Sequence, residues 1–135
     1  MELEHLFSEI EESIKALDID PLNARGEEVG QWMLVDNFTP VFVDAWEDKE
    51  STPWNYFIYE NDKTVFQLIV PSFYAPTLNR DAFFEELLTV NLNIHYAKFS
   101  YNHKENIVVL SVRKPGHTFS KTEFKPMIDA LCYYA

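Results

Sequence analysis

Residues 79–113, NRDAFFEELLTVNLNIHYAKFSYNHKENIVVLSVR, decide the fold, because they read as one unit of helix, strand, turn and strand. Phe84, Leu87, Leu88 and Asn91 fall on one helical stripe, which runs directly into the alternating segment 96–101. Asn79 stands where an N-cap belongs, and Asp81, Glu85 and Glu86 load acid into the first turns, so a helix is expected over 80–93. Segments 96–101 and 107–112 then form a hairpin around Asn102-His103-Lys104-Glu105-Asn106, closed by Pro115-Gly116. Asn91 is polar on an otherwise apolar stripe. It reads as a buried amide bonding backbone groups left open where the helix ends, so Leu87, Leu88 and Asn91 are taken as structural residues.

Upstream, Leu3, Leu6, Phe7, Ile10, Ile14 and Leu17 repeat at helical spacing, giving an amphipathic helix over about 2–17 that Asp20-Pro21 stops. The stretch 22–30 carries Asn23, Gly26 and Gly30 without periodicity and reads as a connection. From 31 to 70 the pattern changes to short β-rich runs, with strands expected over 32–35, 41–46, 54–60 and 64–70 and a hairpin turn at Asn61-Asp62. Pro71 is expected to end the fourth of these. Downstream, Phe124, Met127, Ile128 and Leu131 supply a last apolar stripe. That helix begins either near Ser120, with Ser120 and Glu123 as a capping box, or near 124, because Pro126 lacks a backbone donor. The expected fold is α+β: an antiparallel sheet of five to six strands with three helices, in the order α-β-β-β(-β)-α-β-β-α, as a single domain over 1–135.

The strands do not alternate cleanly. Trp54, Tyr56 and Ile58 oppose Phe57 and Tyr59, and Phe66, Leu68 and Val70 oppose Val65 and Ile69, so both sheet faces carry apolar residues. Three helices do not readily cover two faces, which leaves one for a second subunit or a bound protein. Trp46, Trp54, Tyr56, Phe57 and Tyr59 are the candidate partner or dimer surface.

The chain has 135 residues, with 11 basic against 22 acidic side chains and a net charge of −11. That charge repels phosphate backbones and anionic membranes, so neither nucleic acid nor membrane is an expected partner. Cys132 is the single cysteine, which excludes an internal disulfide and suits a reducing compartment. The N-terminal stretch is acidic where a signal peptide is basic, and no apolar run approaches a membrane span, so a cytoplasmic location is expected. His5, His95, His103 and His117 form no metal-ligand spacing, and Gly26, Gly30 and Gly116 belong to no phosphate-binding or nucleophile motif. No catalytic residue, metal or cofactor is expected. The alternative is a small-ligand-binding or enzymatic domain whose cleft is assembled from scattered residues such as His117, Asp44 and Tyr101.

The string Leu87-Leu88-Thr89-Val90-Asn91 leading into Ala97-Lys98-Phe99-Ser100-Tyr101, then Asn106-Ile107-Val108-Val109-Leu110 and a closing amphipathic helix, resembles the YbjN-like and type III secretion chaperone-like families. The resemblance covers nearly the whole chain in architecture and residues 84–131 in motif. It implies a small, acidic, bacterial cytoplasmic protein without enzymatic activity, commonly a homodimer, that binds an extended segment of a partner protein. Trp32, Trp46 and Trp54 have no counterpart in the secretion-chaperone pattern.

Overall fold

The computed structural model describes residues 2–36, 38–48 and 63–134. Helix α1, Leu3–Ala16, buries Leu6, Ile10, Ser13 and Ile14, which lie three or four residues apart and so share one face. It ends where the Leu17 and Asp18 amides turn back to the Ile14 and Lys15 carbonyls, with Asp18 at φ 62°. Asp20-Pro21, expected to stop this helix, instead starts another. The Asp20 side chain accepts from the Leu22 amide at 3.0 Å and Pro21 occupies the first turn of α2, Pro21–Ala24. A four-residue helix shows no period, so its cap was its only signal.

Strands β1 (Gln31–Asp36), β2 (Thr39–Glu47), β3 (Thr64–Tyr74), β4 (Lys98–Asn102) and β5 (Ile107–Pro115) form one antiparallel sheet in the order β1-β2-β3-β5-β4. The expected strand over 54–60 and the Asn61-Asp62 turn lie outside the described residues. β3 does not end at Pro71. It continues to Tyr74 through a register shift between Pro71 and Phe73, and a bulge is where a strand tolerates a residue without an amide hydrogen.

The register assigns the faces. Val43 opposes Leu68 and Leu68 opposes Val112, while Val41, Val70 and Leu110 line up in the same way, and these alternate residues are buried. They form the core with Leu6, Ile10 and Ile14 of α1 and with Phe124, Met127, Ile128 and Leu131 of the last helix, α4 (Lys121–Tyr134). A single 3₁₀ turn, Gly116–Thr118, leads into α4. The helix therefore starts at the earlier of the two expected positions, but without a capping box: the Ser120 hydroxyl pairs with that of Thr122 at 2.8 Å, and only its carbonyl meets the Glu123 amide. Pro126 lies inside α4 and withholds its donor from the exposed first turn, where water can serve the freed carbonyl.

Helix α3, Arg80–Asn91, corrects the expected stripe. None of its residues is buried, and Leu88 is 68% exposed. It reaches the core-side face of the sheet through aromatic contacts instead, Phe83 on Phe73 with centroids 5.9 Å apart and Phe84 on Tyr101 at 4.8 Å. Arg80 lies over the Phe84 and Tyr101 rings and donates to the Tyr101 hydroxyl at 2.7 Å. Asn79 makes no side-chain cap. It sits in the left-handed region at φ 55° and receives the Phe83 amide on its carbonyl.

Asn91 does hold the hairpin to the helix, though through strand rather than helix groups. Its Nδ2 donates to the Phe99 carbonyl at 3.1 Å and its Oδ1 accepts from the Phe99 amide at 2.8 Å, so the side chain behaves as one peptide unit of an added strand on the β4 edge. The helix end is served by Lys98, whose Nζ donates to the Asn91 and Ile94 carbonyls at 2.6 and 3.0 Å. Replacing Asn91 by Leu removes both bonds from a half-buried position. The urea-denaturation midpoint should fall by the equivalent of about 1–3 kcal/mol, and an unchanged midpoint would show that water replaces the amide without loss.

Candidate protein-binding face

Among the described residues the long helices α1, α3 and α4 pack on one face of the sheet. The other face carries Met33 and Val35 of β1, Phe42, Asp44 and Trp46 of β2, Val65, Gln67 and Ile69 of β3, and Arg113 of β5, with Val65 and Gln67 buried and the β1 side exposed. Among the described residues no long helix covers them. Met33 is 47% exposed, Val35 58% and Phe42 37%.

At the centre of this face Arg113 is tied down. Its Nε and Nη2 donate to the Gln67 Oε1 at 2.9 and 2.7 Å, and its guanidinium lies 5.5 Å from the centre of the Trp46 ring. Towards β1 the surface sinks into an open groove of about 700 Å³, floored by Met33, Phe42, Asp44 and Ile69 and walled by residues 23–27. That wall is held by the β1 edge: the Gly26 amide donates to the Gln31 carbonyl at 2.7 Å, and Arg25 bridges to Trp32.

Glu11 of α1 fastens the wall from below. It accepts from Arg25 Nε and Nη2 at 2.7 and 2.8 Å and from Trp32 Nε1 at 3.0 Å, so one carboxylate joins α1, the wall and β1. The Arg25 bonds hold its carboxyl below the ordinary range, with the Trp32 bond adding to them and burial opposing. Glu12 pairs with Lys121 and so ties α1 to α4. Sequence spacing gives no sign of either partner, because Arg25 and Lys121 come together with α1 only through the fold.

The expected surface residues divide. Trp46 lies on the open face, while Trp54, Tyr56, Phe57 and Tyr59 lie outside the described residues. The alternative cleft does not assemble: Asp44 stands on the open face, Tyr101 on the opposite face under α3, and His117 in the 3₁₀ turn. Among the described residues no group of three His, Cys, Asp or Glu is placed to hold a metal ion, and no helix is long and apolar enough to cross a membrane. Burial pushes the Cys132 thiol up to about 11, with Asp36 adding to the effect, so it stays protonated at neutral pH.

A five-stranded antiparallel sheet with its long helices on one face and an open apolar groove on the other defines a one-sided α+β architecture. It is the type III secretion chaperone-like fold. A chain of the HopA1–SchA chaperone–effector complex superposes with a TM-score of 0.63 at 13% identity, covering 99% of this chain and 94% of that one. A chain of the heterodimeric ExoU–SpcU complex from the type III secretion system of Pseudomonas aeruginosa gives 0.62 at 11% identity, covering 90% and 88%. A chain of the ExsC–ExsE complex gives 0.61 at 12%, covering 98% and 89%. No family model matches the sequence, and no curated protein matches it.

Proposed function

We propose that this chain is a non-enzymatic, chaperone-like protein-binding module that acts in the cytoplasm as a homodimer and receives an extended segment of a partner protein on its open sheet face. The observation that carries the reading is that face itself, with Met33, Val35 and Phe42 exposed beside a groove walled by ordered backbone. Contiguous apolar surface of this kind is a site of association. The reading is supported by two solved structures of the same fold, one a chaperone–effector complex and the other a heterodimeric complex from a type III secretion system. The dimer is assigned to α3 and the β4 edge, where Leu88 on a helix with no buried residue of its own and Leu92 just beyond its end are exposed.

Light scattering at tens of micromolar tests the dimer: the native chain should run at twice its 15.9 kDa mass, and Leu88→Asp with Leu92→Asp should reduce it to one with unchanged circular dichroism. Met33→Asp with Phe42→Asp should leave the mass alone and abolish capture of the partner. A monomeric native chain would remove the homodimer. Capture undiminished by the Met33 and Phe42 changes would remove the open face as the binding surface.

A further inference from the structure

We propose that Asp44 is the acceptor for an arginine side chain of the bound segment, so that the open face selects an extended stretch with one arginine flanked by apolar residues. The proposal rests on the reading that this face receives such a segment. Asp44 lies on β2 between Phe42 and Trp46 on the same face, opposite Gln31 of β1 and Gln67 of β3. It shares the floor of the groove with Met33, Phe42 and Ile69.

Two observations mark it. Among the described residues no hydrogen bond or ion pair reaches its carboxylate, and the cations nearby are already committed: Arg25 to Glu11 at 2.7 Å, and Arg113 to Gln67 at 2.9 and 2.7 Å. Burial alone holds the carboxyl above its ordinary range, with no neighbouring cation offsetting it. A half-buried carboxylate without a partner gives up hydration and gains no bond in exchange. A ligand cation would use it.

The chemistry of that ligand follows from the walls. Glu27 adds a second negative charge at the rim, and the chain as a whole carries −11. A guanidinium is more weakly hydrated than an ammonium, presents a planar fork to a carboxylate and packs flat on aromatic faces, and Phe42 lines the groove. In an extended segment residues two apart point the same way, so apolar side chains on either side of the arginine reach Met33 and Phe42 in one direction and Ile69 in the other.

The test uses the full chain and fluorescein-labelled nine-residue peptides with leucine at positions 3 and 7, serine or threonine elsewhere, and either arginine or its neutral isostere citrulline at position 5. Fluorescence anisotropy should show the arginine peptide binding about tenfold more tightly or better, the scale of one charge-assisted hydrogen-bonded pair. Asp44→Asn should erase the difference, leave the citrulline peptide unchanged, and unfold no earlier than the native chain. The two peptides compared on the native chain decide the matter even if that variant folds poorly. Equal binding of both, lost in Met33→Asp, overturns the anchor and leaves the open face standing. No binding of either at millimolar peptide overturns both. An Asp44→Asn chain that falls from dimer to monomer assigns the face to a second copy and also overturns the proposal.

Discussion

Phe66→Ala should lower the free energy of unfolding by about 3–5 kcal/mol, the cost of removing a large ring from a core that cannot close around the gap. Phe66 is fully buried at the middle of the sheet, opposite Ala45 on one side and Lys114 on the other. Its ring stands edge-on to Phe119 with centroids 5.2 Å apart, and Phe119 in turn meets Phe124 at 5.9 Å. The small Ala45 beside it leaves the ring to fill the space between β2, β3 and α4. Strands on both sides hydrogen-bond β3 in place, so the cavity persists. Urea denaturation followed by tryptophan fluorescence measures the loss. A cost below about 1 kcal/mol would mean that α4 settles into the void, which would show the helix to be loosely seated.

Gly30→Ala should cost about 2–5 kcal/mol, combining left-handed strain with a collision of backbone against side chain. Gly30 has φ 87°, and a Cβ there would lie 2.5 Å from the Ala45 carbonyl oxygen and 3.1 Å from the Phe7 ring. The Gly30 carbonyl also accepts from the Ala45 amide at 2.8 Å, so the chain has to pass this close for β1 to enter the sheet. Any shift that relieves the clash moves β1 away from β2 or lifts Phe7, which meets Trp32 edge-on at 5.7 Å. The groove wall would loosen with it. Thermal unfolding of the variant reads the cost directly, and a melting temperature equal to that of the native chain would show that β1 is free to slide.

The two variants bear on function differently. Phe66 lies on the helix-covered side, so whatever fraction of Phe66→Ala remains folded should keep its open face. Gly30 sits at the entry to β1, beside the wall that residues 23–27 raise over the groove. Its substitution should impair partner binding before the fold is lost.

Much of this architecture was legible as periodicity. The α1 stripe and the β4–β5 hairpin follow from spacings inside each segment, and a spacing of three or four, or of two, fixes which residues share a face whatever surrounds them. The same local rule misassigned Leu88, because periodicity says that a face is apolar and not that anything covers it. Asn91 shows the complementary case: its type and position marked a buried amide, but the groups it bonds belong to Phe99 on the next strand.

The binding face depended still more on long-range geometry. Apolar residues at alternate positions on both faces announced an unpartnered surface in the sequence. Which face it is was decided by the one-sided packing of α1, α3 and α4 on the sheet. Glu11 became a fastener only when the fold brought Arg25 and Trp32 beside it. Asp44 was named with His117 and Tyr101 for a cleft that does not assemble, and it stands on the open face instead. The amino-acid sequence by itself determined the elements, their order and the acidic, doubly apolar character of the chain, because these are sums and spacings along a line. Only the tertiary structure decided which carboxylates found partners and which sheet face stayed open, since both depend on contacts between residues distant in sequence.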